Sequence, residues 1–355
     1  MSVKSKRIIK TILLTLIIVL AVFSIASFII VKTNFDDIFS RTTLDPLSVY
    51  LRYADVEKDY PRELISFMSG KNKLQGYLYG LENTKGLVVI SHGLGGGAEG
   101  YLAETMRFVD EGYQVFGFDN TGCYESEGEN CIGLSQSVID LDAALTFIEQ
   151  EARFKDLPVL LYGHSWGGYA VTAVLNYNHN IAASVSVAGF NKPMQMIVEW
   201  ARGMMGGFAY VEYPYIWLYN KTIFGSNLDI YAVDGINKTE TPVLLIHGIE
   251  DQTIGIDESA IMAYKDKITN PNVKYKLCEK KEQNGHSTLF MSAEAVEYCN
   301  ELDKKYEELE NKFDGKIPEA EERSFYDDVD KFKSSELDSE FFNDVLEFYE
   351  NAVEA

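Results

Sequence analysis

Five short apolar runs recur along this chain: "GLVVISHG" (Gly86–Gly93), "YQVFGFD" (Tyr113–Asp119), "PVLLYGHS" (Pro158–Ser165), "AASVSVAGF" (Ala182–Phe190) and "PVLLIHG" (Pro242–Gly248). Each has the length of a buried strand. Helical stretches separate them. Leu134, Val138, Leu141, Leu145 and Ile148, for example, repeat at three and four residues and form one apolar helix face. Strand alternating with helix dictates an α/β fold, a mostly parallel sheet covered by helices on both faces. Ahead of these runs, "ELISFMSG" and "KLQGYLYG", separated by Lys71-Asn72, read as an antiparallel hairpin.

In such a sheet, ligands sit beyond the carboxyl ends of the strands. Gly163-His164-Ser165-Trp166-Gly167 falls at one of these ends. Its glycines fit a turn so tight that side chains there would strike the neighbouring strand or helix, leaving Ser165 on a strained corner with its hydroxyl exposed. A helix N-cap serine in a glycine-rich turn is the plainer account of the same residues. As a nucleophile, the hydroxyl needs a base, and the base a carboxylate to orient it. Of five histidines, His92 and His164 lie inside glycine motifs, His247 ends a strand and His179 sits in the polar turn "NYNHN". His286, on the loop "EQNGHSTLF", follows both the serine and a strand-end acid. That acid is Asp251, just past "PVLLIHG" on the edge that carries Ser165, in preference to its neighbour Glu250. The glycine-rich loop "SHGLGGGAEG" (Ser91–Gly100) supplies backbone donors for an oxyanion, and Leu94 and Trp166 are the expected pair. The loop lacks the Lys-Ser or Lys-Thr of a nucleotide-binding loop.

Taken in order, "HGLGG", "GHSWGG", "HGIED" and "NGH" resemble the α/β-hydrolase superfamily over about Glu63 to Leu302. Within it the chain is similar to the branch of serine aminopeptidases, monoacylglycerol lipases and lysophospholipases. That branch carries an aspartate, glycines and a serine after the fourth strand. Here the stretch is "FDNTGCYESEG", which keeps Asp119, Gly122, Ser126 and Gly128 but has Thr121 in place of the usual arginine and Tyr124 in place of a glycine. The resemblance implies hydrolysis through an acyl-enzyme without metal or organic cofactor. It also implies a cap over the site at about residues 191–241, a segment rich in methionine and aromatic side chains, among them Met194, Met196, Trp200, Tyr215 and Trp217. Such side chains suit a pocket for an apolar acyl or aryl group, although most of them must pack the cap onto the body.

The amino terminus is different in kind. Four basic residues, Lys4, Lys6, Arg7 and Lys10, precede Thr11–Val31, 21 residues without a charge. About 20 suffice to cross a bilayer. Ser24-Ile25-Ala26 would serve as a signal-peptide cleavage site, but the apolar run continues past it, which favours an uncleaved anchor. The basic flank places the amino end in the cytoplasm and the body on the outer side.

The expected organisation is therefore a basic segment at 1–10, an anchor at 11–31, a linker at 32–60 with one short helix, the hydrolase body at 61–306 and an acidic extension at 307–355. Residues 301–355 carry 19 carboxylates against 7 basic groups, within a formal net charge of −22 that argues against a nucleic-acid partner. Phe341, Phe342, Val345, Leu346 and Tyr349 share one helical face in that extension, expected to dock on the body. Cys123 and Cys131 are near enough in sequence to close a short disulfide loop, and Cys278 with Cys299 form a second possible pair; four free thiols are the alternative. No spacing resembles a metal site.

The function expected is hydrolysis of carboxylic esters, with Ser165 as nucleophile, His286 as base, Asp251 as its orienter and Leu94 and Trp166 as oxyanion donors. The expected partners are a small ester or acyl substrate and the membrane. A peptidase or amidase would use the same triad. A binding protein that keeps the fold without turnover, or an acyltransferase, would also carry these motifs, and the sequence leaves the oligomeric state open.

Overall fold

The computed structural model describes residues 3–354. It opens with a single helix, α1 (Val3–Ile38), of which only Ser27, Val31 and Phe35 are buried. The helix continues seven residues past the apolar run, because Lys32-Thr33-Asn34 contains no breaker and Phe35 is drawn into the core. The stretch that follows is strapped to the body rather than free. The Arg41 guanidinium donates to the carbonyls of Tyr124, Ser126 and Gly128, Thr42 N–H donates to Gly122 O, and Leu51 is buried. The one-turn helix α2 (Tyr53–Val56) lies within it.

The sheet begins with the expected hairpin, β1 (Arg62–Ser69) and β2 (Asn72–Tyr79). Then come β3 (Leu87–Ser91), α3 (Leu102–Asp110), β4 (Gln114–Phe118), α4 (Gln136–Gln150), β5 (Val159–His164), α5 (Trp166–Ala173) and β6 (Ala183–Val187). Three helices follow where the cap was expected: α6 (Pro193–Met205), α7 (Ala209–Phe224) and α8 (Ala232–Lys238). The chain returns to the sheet in β7 (Val243–Gly248) and β8 (Val273–Cys278) and ends in α9 (Ala293–Lys312), α10 (Glu319–Asp327), α11 (Lys331–Ser334) and α12 (Ser339–Glu354).

The eight strands are ordered β1-β2-β4-β3-β5-β6-β7-β8, parallel from β4 to β8. β3, β6 and β7 are buried along their whole length, as near-continuous apolar runs require when helices cover both faces. One face is covered by α4, α5 and the cap, the other by α3 and α12. α12 completes the core. Phe342 and Tyr349 are fully buried, and the Tyr349 hydroxyl donates to Leu161 O of β5 at 2.7 Å. The segment read as an acidic extension therefore ends in a helix integral to the sandwich. All four cysteines are thiols, with Cys123 Sγ and Cys131 Sγ 3.4 Å apart and unbonded.

Candidate active site

Ser165 stands between β5 and α5 with φ 57° and ψ −115°, in the left-handed region that a non-glycine residue occupies only under constraint. The constraint comes from packing. A Cβ on Gly163 would overlap the Gly167 carbonyl, and one on Gly167 would overlap the carbonyl of Ser91 in β3. Strand and helix meet too closely for side chains there. Ser165 N–H donates to Val187 O at 2.8 Å, pinning the corner to β6. Ser165 is half-buried between fully buried neighbours, so its hydroxyl faces outward.

The residues singled out from the sequence meet here. His286 Nε2 lies 2.8 Å from Ser165 Oγ, and His286 Nδ1 lies 2.7 Å from Asp251 Oδ2. Asp251 Oδ1 accepts the N–H groups of Thr253 and Ile254 at 2.8 and 2.9 Å. An acceptor-only carboxylate facing Nδ1 assigns the proton to that nitrogen and leaves Nε2 to accept from the serine. Burial works to raise the Asp251 pKa, but the hydrogen bond and charge of His286, with the Ile254 N–H and the nearby His247, hold it below the ordinary carboxylate value. Glu250 is exposed on the neighbouring position.

Trp166 is the first residue of α5, so its N–H has no intrahelical acceptor. The loop after β3 lies directly opposite, since a Cβ on Gly93 would sit 3.6 Å from Ser165 Cβ. The Gly93–Leu94 peptide is fixed by His92, the histidine inside the glycine-rich motif. His92 Nε2 accepts Asn120 N–H at 2.9 Å, so Nδ1 carries the proton and donates to Gly93 O at 2.7 Å. Because the peptide is planar and trans, holding that carbonyl fixes the Leu94 N–H on its opposite side. Burial pushes the His92 pKa down to about 4, so the ring stays neutral and keeps one donor and one acceptor.

A second set of bonds ties this loop to the His286 loop. Gly93 N–H donates to the Tyr101 hydroxyl at 2.9 Å, Tyr101 donates to His164 Nδ1 at 2.9 Å, and His164 Nε2 donates to His286 O at 2.9 Å. Every donor in the series finds an acceptor in one tautomer of neutral His164. Burial, followed by the nearby His286, lowers the His164 pKa to about 3 and preserves that state. From the cap, Glu199 of α6 accepts the N–H groups of Gly255 and Ser259 at 3.0 and 3.1 Å, bracing the loop that begins at Asp251. Tyr101 and Glu199 carry no sequence signal, because each reaches across the fold to groups far away in the chain. His164 is visible only as part of the serine motif. Of the remaining histidines, His247 Nε2 donates to Ile254 O at 3.0 Å and lies 3.3 Å from Asp251 Oδ2, while His179 pairs with Asp142 and Glu149 away from the site. The branch motif is structural. Asp119 accepts Ala98 N–H and the Tyr77 hydroxyl, and burial raises its pKa to about 6.

Residues 82–227 match the model of the family described as serine aminopeptidase, S33. A curated relative, the quorum-quenching protein AidA of Acinetobacter baumannii, is 30% identical over 141 residues, which are 37% of this chain and 46% of that protein. The matched stretch thus spans just under half the length of that relative. Among solved structures, the Pyrococcus furiosus esterase Pf2001 superposes with a TM-score of 0.53 at 18% identity, covering 77% of this chain and 98% of the esterase. A second crystal form of the same esterase gives 0.52 at 19% identity, over 70% and 90% of the two chains. At that identity the likeness establishes the fold.

Proposed function

The chain belongs to the α/β-hydrolase superfamily, and from that premise we propose that it is a serine hydrolase cleaving carboxylic esters through an acyl-enzyme on Ser165. The observation that carries this reading is the bridging imidazole, with Nε2 at 2.8 Å from Ser165 Oγ and Nδ1 at 2.7 Å from Asp251. In the proposed cycle Ser165 Oγ attacks the acyl carbonyl as its proton passes to His286 Nε2. Asp251 stays ionised and stabilises the imidazolium. The oxyanion receives Leu94 N–H and Trp166 N–H, each such donor being worth about 2.7–4 kcal/mol at the transition state. Collapse expels the alcohol, which takes the proton from His286, and water repeats the sequence on the acyl-enzyme.

Ester is favoured over peptide for a specific reason. An aminopeptidase needs a carboxylate free to receive the substrate amine. The only carboxylates on α6 and α7 are Glu199, which holds the backbone of the acid loop, and Glu212, which is buried and turned to α1, where its Oε1 accepts Ser27 Oγ–H at 2.9 Å. We read α1 as an uncleaved membrane anchor with the amino end cytoplasmic, supported by its continuation through Ala26 into residues packed on the cap.

The test is labelling with a fluorophosphonate probe and a panel of aryl esters, acylglycerols and aminoacyl amides. Wild type is expected to take up the probe and favour the esters, while Ser165→Ala loses labelling and at least about 10⁴-fold in kcat. Undiminished turnover in Ser165→Ala, or preference for the amides, would refute it.

A further inference from the structure

Helix α7 is apolar on two sides. Its packed stripe is Ala209, Glu212, Ile216, Asn220 and Phe224, at the spacing of one helix face. The rest of its surface is exposed, yet Tyr210, Val211, Tyr213, Trp217 and Leu218 are 40–62% accessible there, with Phe208 at 50% just before the helix. The charged residues of α7 are only Glu212, which is buried, and Lys221, which pairs with Asp229 at 2.5 Å. A water-facing helix carries charge on its outer face, whereas one apolar all round lies in a core or a membrane. An aromatic and aliphatic surface of this kind needs an occupant.

The neighbouring helix identifies it. Against α7 lies the second half of α1: Phe23 and Ser24 meet Tyr215, Ser27 donates to Glu212, and Phe28 meets Tyr219 with ring centroids 5.8 Å apart. Ser24 is seven residues inside Val31, the end of the charge-free run, or about 10 Å along a helix axis. Interfacial helices sink about 5–10 Å into the boundary between headgroups and acyl chains. The two polar contacts between the helices, Ser24 with Tyr215 and Ser27 with Glu212 Oε1, pair hydroxyls that lipid would leave unpaired. We propose that the outer face of α7, with Phe208, is a membrane-docking surface that seats the cap in the lipid leaflet nearest the hydrolase body, continuous with the exposed apolar surface of α1. The proposal rests on α1 being retained as a span.

The test uses the full chain reconstituted in vesicles of phosphatidylcholine and phosphatidylglycerol, with the phosphatidylcholine brominated on its acyl chains or left plain. Emission from Trp217 is the difference between wild type and Trp217→Phe, which keeps Trp166 and Trp200. Acyl-brominated lipid is expected to quench that emission at least about twofold, with little quenching by aqueous iodide. The double variant Val211→Asn, Leu218→Asn leaves the packed stripe intact and is expected to weaken the bromolipid quenching by about half or more. Quenching by iodide without quenching by bromolipid overturns the proposal. So does protection from both quenchers that rises with protein-to-lipid ratio, which would assign this face to a second copy of the chain, and so does bromolipid quenching unchanged in the double variant. Neither arm reads hydrolysis, so this proposal and the active-site reading fail separately.

Discussion

Tyr101 shows how a residue outside the reacting group can govern it. Its hydroxyl is at once the acceptor for Gly93 N–H and the donor to His164, and so joins the glycine-rich loop after β3 to the His286 loop. Tyr101→Phe leaves a buried N–H without a partner, a loss of about 1–3 kcal/mol. We expect kcat to fall roughly 10- to 100-fold with KM little changed, measured on a soluble ester. Nearby, Glu104 is buried in α3, which raises its pKa to about 7 from 4.5. A carboxyl raised in the fold adds stability below its unfolded pKa and loses it as pH climbs through the folded value. Glu104→Gln abolishes that dependence. Relative to wild type, the variant should gain up to roughly 3 kcal/mol between pH 4 and 8, read from urea midpoints at both ends. His92 and His164, lowered to about 4 and 3, act with the opposite sign, stabilising above about 6.5 and losing that as pH falls toward the folded values. Ser165 and Asp251 could be proposed from the chain because each follows a strand end whose apolar run announces it, and His286 only by elimination among the five histidines, since β8 before it is a mixed strand. The residues that position them could not, since a hydrogen bond between loops leaves no periodicity behind.

At the level of elements, strands read well and helix ends poorly. The apolar runs gave β3 to β7 because continuous burial leaves an unbroken signature. The charge-free run 11–31 lies inside α1, whose ends extend beyond it on both sides because hydropathy marks an apolar run and not where a helix stops. α12 was recognised as amphipathic but not as core, since its acidic outer face set the reading of the whole segment. Its weight in the fold is measurable. Phe342 is fully buried and packs edge-on against Phe108 at 5.9 Å, so Phe342→Ala should cost about 3–5 kcal/mol in chemical denaturation. In the cap, Glu199 takes two backbone donors of the acid loop, beside the bonds that Gln195 and Arg202 of α6 make to Glu258. Glu199→Ala frees two backbone donors and should lower kcat roughly tenfold through looser placement of Asp251, with Glu199→Gln recovering part of it.

Over the whole molecule, the amino-terminal helix and the catalytic body form one packed unit, because Val31, Phe35 and Phe39 join the same core cluster as the sheet. If α1 is retained, a membrane extract should yield a mass that includes Lys4 to Ala26, and intact-protein mass spectrometry checks this directly. A species beginning at Ser27 would mean cleavage. The bond from Tyr349 to Leu161 links positions 188 residues apart. On the ribosome this imposes an order of events. α1 emerges before the body, yet the central strand must wait for another 188 residues before its covering tyrosine arrives. At about 5–20 residues per second the wait lasts roughly ten seconds or longer, during which an apolar sheet stands half-covered.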